Sequence, residues 1–292
     1  MSRLAAFAEL GKPRLSALAV LAVLAGVFLG AASLPTAWLL LSTGTGTALV
    51  AAGGNALNMF LERDSDRFMQ RTEGRPLPAG RLGSGEVLGF GLFTASVGVA
   101  LLWWATNPLA AALCAAIFVS YVLVYTPMKR RSTLNTLVGA VPGALPPVVG
   151  YAASSGRVDE RALVLFLILF LWQIPHFLAI AWGYREQYRA AGMQMLPVVD
   201  TGGRSTAVQM VLYCATLVLV STMPSLPWVG LTGSLYTFAA LALGAMFLIA
   251  TVAAAIVRQP AAMRRCFLVS IVYLPLLFGV MVVDKILKTP TV

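Results

Sequence analysis

Charged residues are sparse along this chain and fall in clumps, and the apolar runs between the clumps can be counted. Leu15 to Leu61 carries no charge and is broken once, at Ser33-Leu34-Pro35-Thr36; Val87 to Met128 is also uncharged and is broken at Thr106-Asn107-Pro108. Ser132 to Gly156 and Ala162 to Tyr184 supply one run each. Ser205 to Val257 is 53 residues without a charge, too long for one helix, with Pro224 and Pro227 as the break, and Cys266 to Val283 closes the series. A helix needs about 20 residues to cross roughly 30 Å of hydrocarbon. The pattern therefore predicts an all-α polytopic membrane protein with nine transmembrane helices, forming a single integral-membrane domain over residues 1–292.

Composition agrees. With 59% hydrophobic and 11% charged residues, the chain has too little polar surface to close a water-soluble globule. The net charge of +10 does not point to nucleic acid, because the basic residues are gathered between apolar runs, as the positive-inside rule describes. Seventeen of the 21 Lys and Arg residues fall on the side that holds the N-terminus; Arg157, Arg161, Lys285 and Lys288 fall on the other. The expectation is a protein integral to the cytoplasmic membrane, with its N-terminus and site facing the cytoplasm and the lipid bilayer as its surroundings. The first apolar run resembles a signal peptide but reads as a retained helix, given the spans that follow. Cys114, Cys214 and Cys266 are far apart, unpaired in spacing and embedded in apolar runs, so they read as small core residues.

The densest chemistry lies where the second span ends. Four of the eleven acidic residues sit within twelve positions, and Arg63, Arg67, Arg71, Arg75 and Arg81 surround them. On a helix Asn58, Glu62 and Asp66 fall at i, i+4 and i+8, so an amide oxygen and two carboxylates share one face. Hard oxygen ligands in this number suit Mg2+, which binds through one or two carboxylates together with substrate phosphates. Five arginines exceed charge balance, and a diphosphate held at the site would account for them. A solvated loop whose basic residues only set topology would leave the Asn/Glu/Asp spacing unexplained.

Two further clusters belong to the same side. Tyr121, Tyr125, Thr126 and Lys129-Arg130-Arg131 end the fourth span; alone, the three basic residues would also serve as a stop-transfer signal. The sixth span carries Pro175-His176-Phe177 and leads to Glu186-Gln187-Tyr188. His176 is the only histidine, and it reads either as a hydrogen-bonded core residue or as a functional group inside the membrane. If one helix carries both His176 and Glu186, ten residues place them about 15 Å apart.

With these clusters in hand, the chain resembles the UbiA-type membrane prenyltransferase superfamily. The resemblance rests on Asn58-x-x-x-Glu62-x-x-x-Asp66 and Arg71-Thr72-x-x-Arg75-Pro76-Leu77. A narrower likeness to its haem farnesyltransferase branch rests on Lys12-Pro13-Arg14, Tyr125-Thr126-x-x-Lys129-Arg130, Gly143-Ala144-x-Pro146-Pro147-x-x-Gly150, Pro175-His176-Phe177 and Tyr188-x-x-Ala191-Gly192-x-x-Met195-Leu196-Pro197-Val198-Val199. These motifs run from residue 12 to 199. Two positions depart from the pattern: Glu62 stands where Asp is usual, and Glu186-Gln187-Tyr188 has one carboxylate fewer than the usual Asp-Asp-Tyr.

The resemblance implies a UbiA-type bundle with Mg2+ as cofactor, and farnesyl diphosphate and haem B as substrates. It implies catalytic roles for Asn58, Glu62, Asp66, Lys129 and His176, and metal ligation by Asn58, Glu62, Asp66 and Glu186. Substrate contacts would come from Arg14, Arg71, Arg75, Tyr125, Arg130 and Tyr188. His176 would ligate haem iron or accept a proton; both roles stay open. A downstream haem-modifying enzyme is an implied partner. Two alternatives are weighed beside this reading: a UbiA-type enzyme acting on another ring acceptor, and a haem- or ion-handling transporter, which would more naturally place its charges near the bilayer midplane.

Overall fold

The computed structural model describes residues 2–288, apart from the side chains of Arg14 and Leu15. Among the described residues every regular element is helical: α1 (Arg3–Leu10), α2 (Pro13–Gly30), α3 (Ala37–Asp66), α4 (Ser84–Ala105), α5 (Pro108–Val119), α6 (Thr126–Met128), α7 (Asn135–Ala144), α8 (Pro146–Ser155), α9 (Glu160–Gly183), α10 (Arg185–Ala190), α11 (Leu196–Val199), α12 (Arg204–Val220), α13 (Ser234–Val257) and α14 (Pro260–Lys288). A π-helical stretch, Ser120–Tyr125, joins α5 to α6.

The breaks fall where the residues demand them. Thr36 and Asn107 cap α3 and α5 by accepting from the Leu39 and Ala110 N–H groups, and Pro108 sits at the first helical position, where its missing N–H costs nothing. Asp159 caps α9, and Gly156 ends α8 in the left-handed conformation at φ 71°. Pro146 and Pro147 open α8, so the run from Ser132 to Gly156 is two short helices hinged at Leu145.

Among the described residues, seven helical segments are both long and apolar enough to cross a membrane: Ser84–Ala105, Pro108–Met128, Asn135–Ser155, Glu160–Gly183, Arg204–Ser225, Ser234–Val257 and Pro260–Lys288. The expected nine is not reached on that measure. The apolar part of α2, Ser16–Gly30, is too short. In α3, 30 residues long, four glycines and the buried Ser42, Thr43, Thr47, Asn55 and Asn58 lower the hydropathy, because this helix turns a polar face inward.

Packing depends on small residues, as expected where lipid removes most of the hydrophobic drive between helices. A Cβ at Gly26 would strike the Pro147 carbonyl, and one at Gly150 would strike that of Val23, so α2 and α8 touch backbone to backbone. α3 and α4 approach in the same way through Gly46, Gly53, Gly91 and Gly98. The largest core cluster surrounds α9, with Leu165, Ile168, Ile174 and Leu178 facing Met210, Cys214, Phe247, Tyr273 and Leu277.

Side-chain bonds close both ends of the bundle. At one end Lys285 donates to the Phe28, Leu29 and Ala31 carbonyls and Asn107 to those of Ala152 and Ala153. At the other, Asn135 donates to the Gln194 carbonyl and Arg81 pairs with Glu9. The short helix α1, which hydropathy does not reveal, packs Ala6 and Leu10 against Ala56, Met59, Leu77 and Leu82 at this second end.

Candidate active site at the Asp66 end

α3 stays helical through Asp66, so the spacing of Asn58, Glu62 and Asp66 becomes a stripe on one helix face. All three are buried, Asp66 completely. The chain then turns back on itself. The Thr72 hydroxyl donates to the Asp66 carbonyl at 2.9 Å, and this turn brings Arg75 to within 2.6 Å of Asp66 Oδ2 and 3.9 Å of Glu62. The Arg71-Thr72-x-x-Arg75 motif is thus a return loop that closes over the end of its own helix.

The second wall comes from the α5–α6 segment. Pro127 has no N–H to offer, and the Thr126 N–H and hydroxyl both bond the Tyr121 carbonyl five residues back, which opens a π turn. Thr126 Oγ1 accepts from Asn58 Nδ2 at 3.1 Å, and Lys129 Nζ donates to Glu62 Oε1 at 2.7 Å while lying 4.6 Å over the Tyr125 ring. Burial disfavours the Lys129 ammonium, but Glu62 outweighs it and holds the group above its usual range. From the residue before α2, Lys12 Nζ donates to Asn58 Oδ1 at 3.2 Å. Burial, together with repulsion from Arg75 and Lys129, brings Lys12 down to about 7 against the pull of Glu62 and Asp66. A cavity of about 230 Å³ opens here, lined by Leu61, Glu62, Ser65, Thr126, Lys129 and Arg130 among others.

Two cations, Arg75 and Lys129, and the Lys12 amine, whose charge burial weakens, therefore stand over two carboxylates. Among the described residues no third Asp, Glu, His or Cys joins Glu62 and Asp66 in a metal-sized group. Asp66 Oδ1 is nevertheless buried without a hydrogen-bond partner. A buried carboxylate oxygen left open in this way is costly unless a ligand completes it. Two carboxylates and an amide oxygen, with phosphate oxygens to complete the shell, fit Mg2+.

The remaining expected residues are distributed unevenly. Arg71 donates to Tyr188 Oη at 3.3 Å and lies over the Tyr184 ring, tying the return loop to α10. Glu186 is exposed and pairs with Arg185 and Arg189. The helix that carries His176 ends at Gly183 and α10 starts afresh at Arg185, so a single straight rise from His176 to Glu186 does not apply. His176 is buried between α9 and α14, stacked on Trp172 at 4.5 Å and bonded to Ser270 Oγ at 2.6 Å. The side chain of Arg14 lies outside the described residues. Sequence reasoning missed Thr126 and Lys12 as partners of Asn58, although both lie in motifs it had marked; it also missed Asn55, which bonds the Gly11 carbonyl and Ser16 at 3.2 Å and steadies the turn before α2.

Comparison with known proteins agrees with this geometry. The profile of the UbiA prenyltransferase family matches residues 19–276. A protoheme IX farnesyltransferase of Solibacter usitatus is 46% identical over 291 residues, 96% of this chain and 98% of that protein. One of Koribacter versatilis is 40% identical over 289 residues, 96% and 93% of the two chains. Among solved structures, a digeranylgeranylglyceryl phosphate synthase superposes with a TM-score of 0.81 at 16% identity, covering 98% of this chain and 99% of its own. A UbiA homologue from Archaeoglobus fulgidus bound to DMAPP and Mg2+ gives 0.68 at 15% identity, covering 94% and 98%. Sequence and fold together show that the chain belongs to the UbiA prenyltransferase family, in its protoheme IX farnesyltransferase branch.

Proposed function

We propose that this protein transfers the farnesyl group of farnesyl diphosphate to a vinyl group of haem B, with addition of water, giving haem O and diphosphate. The relatives' shared activity supports both substrates. The observation that carries the chemistry is the unpartnered Asp66 Oδ1, buried beside Glu62 under Arg75 and Lys129.

The difficult step is departure of diphosphate from an allylic carbon. Asn58, Glu62 and Asp66 would hold Mg2+, which when bound would supply positive charge against the negative charge growing on the leaving group. The chain's own cations are poised for the same charge: Lys129 and Arg75 now hold the carboxylates, and Lys12 holds Asn58. Glu62 and Asp66 would then face the metal, and Lys129 and Arg75 would be free to bind phosphate oxygens. Arg71 and Arg130 extend the basic wall, with Tyr188 holding Arg71 and the Tyr125 ring holding Lys129. Glu186, engaged by two arginines, is at most a ligand of a second, weaker ion.

The farnesyl tail leaves the cavity between helices, in the apolar layer. The allylic cation is attacked by the vinyl group, and water enters only afterwards, since earlier entry would hydrolyse the donor. His176 serves the haem. By the 17-to-4 split of basic residues the Asp66 end faces the cytoplasm, and the product passes to a downstream haem-modifying enzyme. The test is mass spectrometry of haems extracted from cells expressing the protein: haem O is expected, and haem B alone would overturn the proposal.

A further inference from the structure

Ser270, on α14, faces α9 with two atoms. Its carbonyl accepts from Trp172 Nε1 at 2.9 Å, and its hydroxyl oxygen lies 2.6 Å from His176 Nδ1. That hydroxyl also lies 2.6 Å from the Phe267 carbonyl of its own helix. A hydroxyl has one proton, and a carbonyl can only accept. Two oxygens at 2.6 Å with no proton between them repel, so the serine proton belongs to Phe267. The proton between Ser270 and His176 must then come from the imidazole. A neutral imidazole has one N–H, so with Nδ1 protonated, Nε2 keeps its lone pair.

The ring cannot turn to exchange its nitrogens without losing this arrangement. Trp172 stacks on it at 4.5 Å and 24°, and Phe267 and Phe177 lie 5.1 and 5.4 Å away. Among the described residues Nε2 has no hydrogen-bond partner in the protein.

We propose that Ser270 is a positioning residue, which locks His176 in the Nδ1–H tautomer and so presents the Nε2 lone pair to the haem substrate. The inference rests on the assignment of haem B to His176. The tautomer itself does not depend on that assignment, which keeps the two failures distinguishable.

Because His176 is the only histidine, labelling with 15N-histidine gives the signals of one imidazole. In the purified wild-type protein the expected spectrum has a protonated-type Nδ1 and an unprotonated-type Nε2. Ser270→Ala should mix the tautomers, and Ser270→Thr, which keeps the hydroxyl, should restore the wild-type pattern. Haem B titrated into the same samples and followed by its Soret band should bind about 10- to 100-fold more weakly to Ser270→Ala, the usual loss when the group orienting a ligating histidine is removed. Farnesyl diphosphate binding should be unchanged. An Nε2–H signal in the wild type would overturn the lock without any variant having to fold. A Ser270→Ala protein with mixed tautomers and normal haem affinity would overturn the positioning role. Normal haem affinity in His176→Ala would instead remove His176 from the haem site, with the tautomer still decided by the spectrum.

Discussion

Lys129 and Glu62 are 67 residues apart in the chain, yet their side chains meet at 2.7 Å, both largely shielded from solvent. They close the cavity between the end of α3 and the turn after the π stretch, and each satisfies a charge the other would leave exposed to a poor dielectric.

Breaking that pair from one side should therefore be costly. Removing one partner of a buried ion pair typically costs about 3 to 5 kcal/mol, because the remaining charge loses its compensation. Lys129→Met and Glu62→Gln should each lower the thermal midpoint in detergent. The double variant should regain most of the lost stability and none of the haem O synthesis. Additive losses in the double variant would show that the two residues are not coupled.

Asp66→Asn keeps size and shape but halves the negative charge of the Asn58, Glu62 and Asp66 stripe. Turnover should fall by at least about a hundred-fold, the scale of losing one element of transition-state charge stabilisation, while the protein still inserts in membranes. Chelation with EDTA should silence the wild type, and added Mg2+ should restore it. Haem O formation at normal rates by Asp66→Asn would remove the metal assignment.

At the opposite end, burial raises the Asp159 carboxyl, but the Tyr151 hydroxyl, the Ala162 and Arg161 N–H groups and Arg157 outweigh it and hold the group below its usual range. The stability this supplies is present above the ordinary carboxylate value and is lost as pH falls through the depressed one. Asp159→Ala should cost about 1 kcal/mol, as for other lost caps. Melting curves of wild type and variant should differ at pH 7 and converge as the pH falls through the depressed Asp159 value, below the ordinary carboxylate range. A gap that grows with acid would reverse the sign.

Orientation can be read with cysteine reagents, because Cys114, Cys214 and Cys266 are all buried and give little background. A Ser155→Cys protein should react with an impermeant maleimide in intact cells. Ser84→Cys should react only after the membrane is opened. Labelling of Ser84→Cys from outside would invert the topology.

Much of this protein is decided within single stretches of sequence. Pro35, Pro108 and Pro224 interrupt apolar runs because a proline cannot donate to the preceding turn, and Asn58, Glu62 and Asp66 share a face because a helix repeats every 3.6 residues. Both are local rules, legible without knowing what lies opposite. The same rules could not say that Arg75 would fold back onto Asp66, that Lys12 and Thr126 would meet Asn58, or that Glu186 would turn to its own arginines instead of the stripe. Those pairings depend on how closely helices approach, which Gly26, Gly53, Gly91 and Gly150 permit only in the packed bundle. Ser270 is the sharpest case. Nothing around it in sequence marks it, 94 residues from His176, and only the crossing of α14 over α9 makes its hydroxyl the partner of the chain's one imidazole.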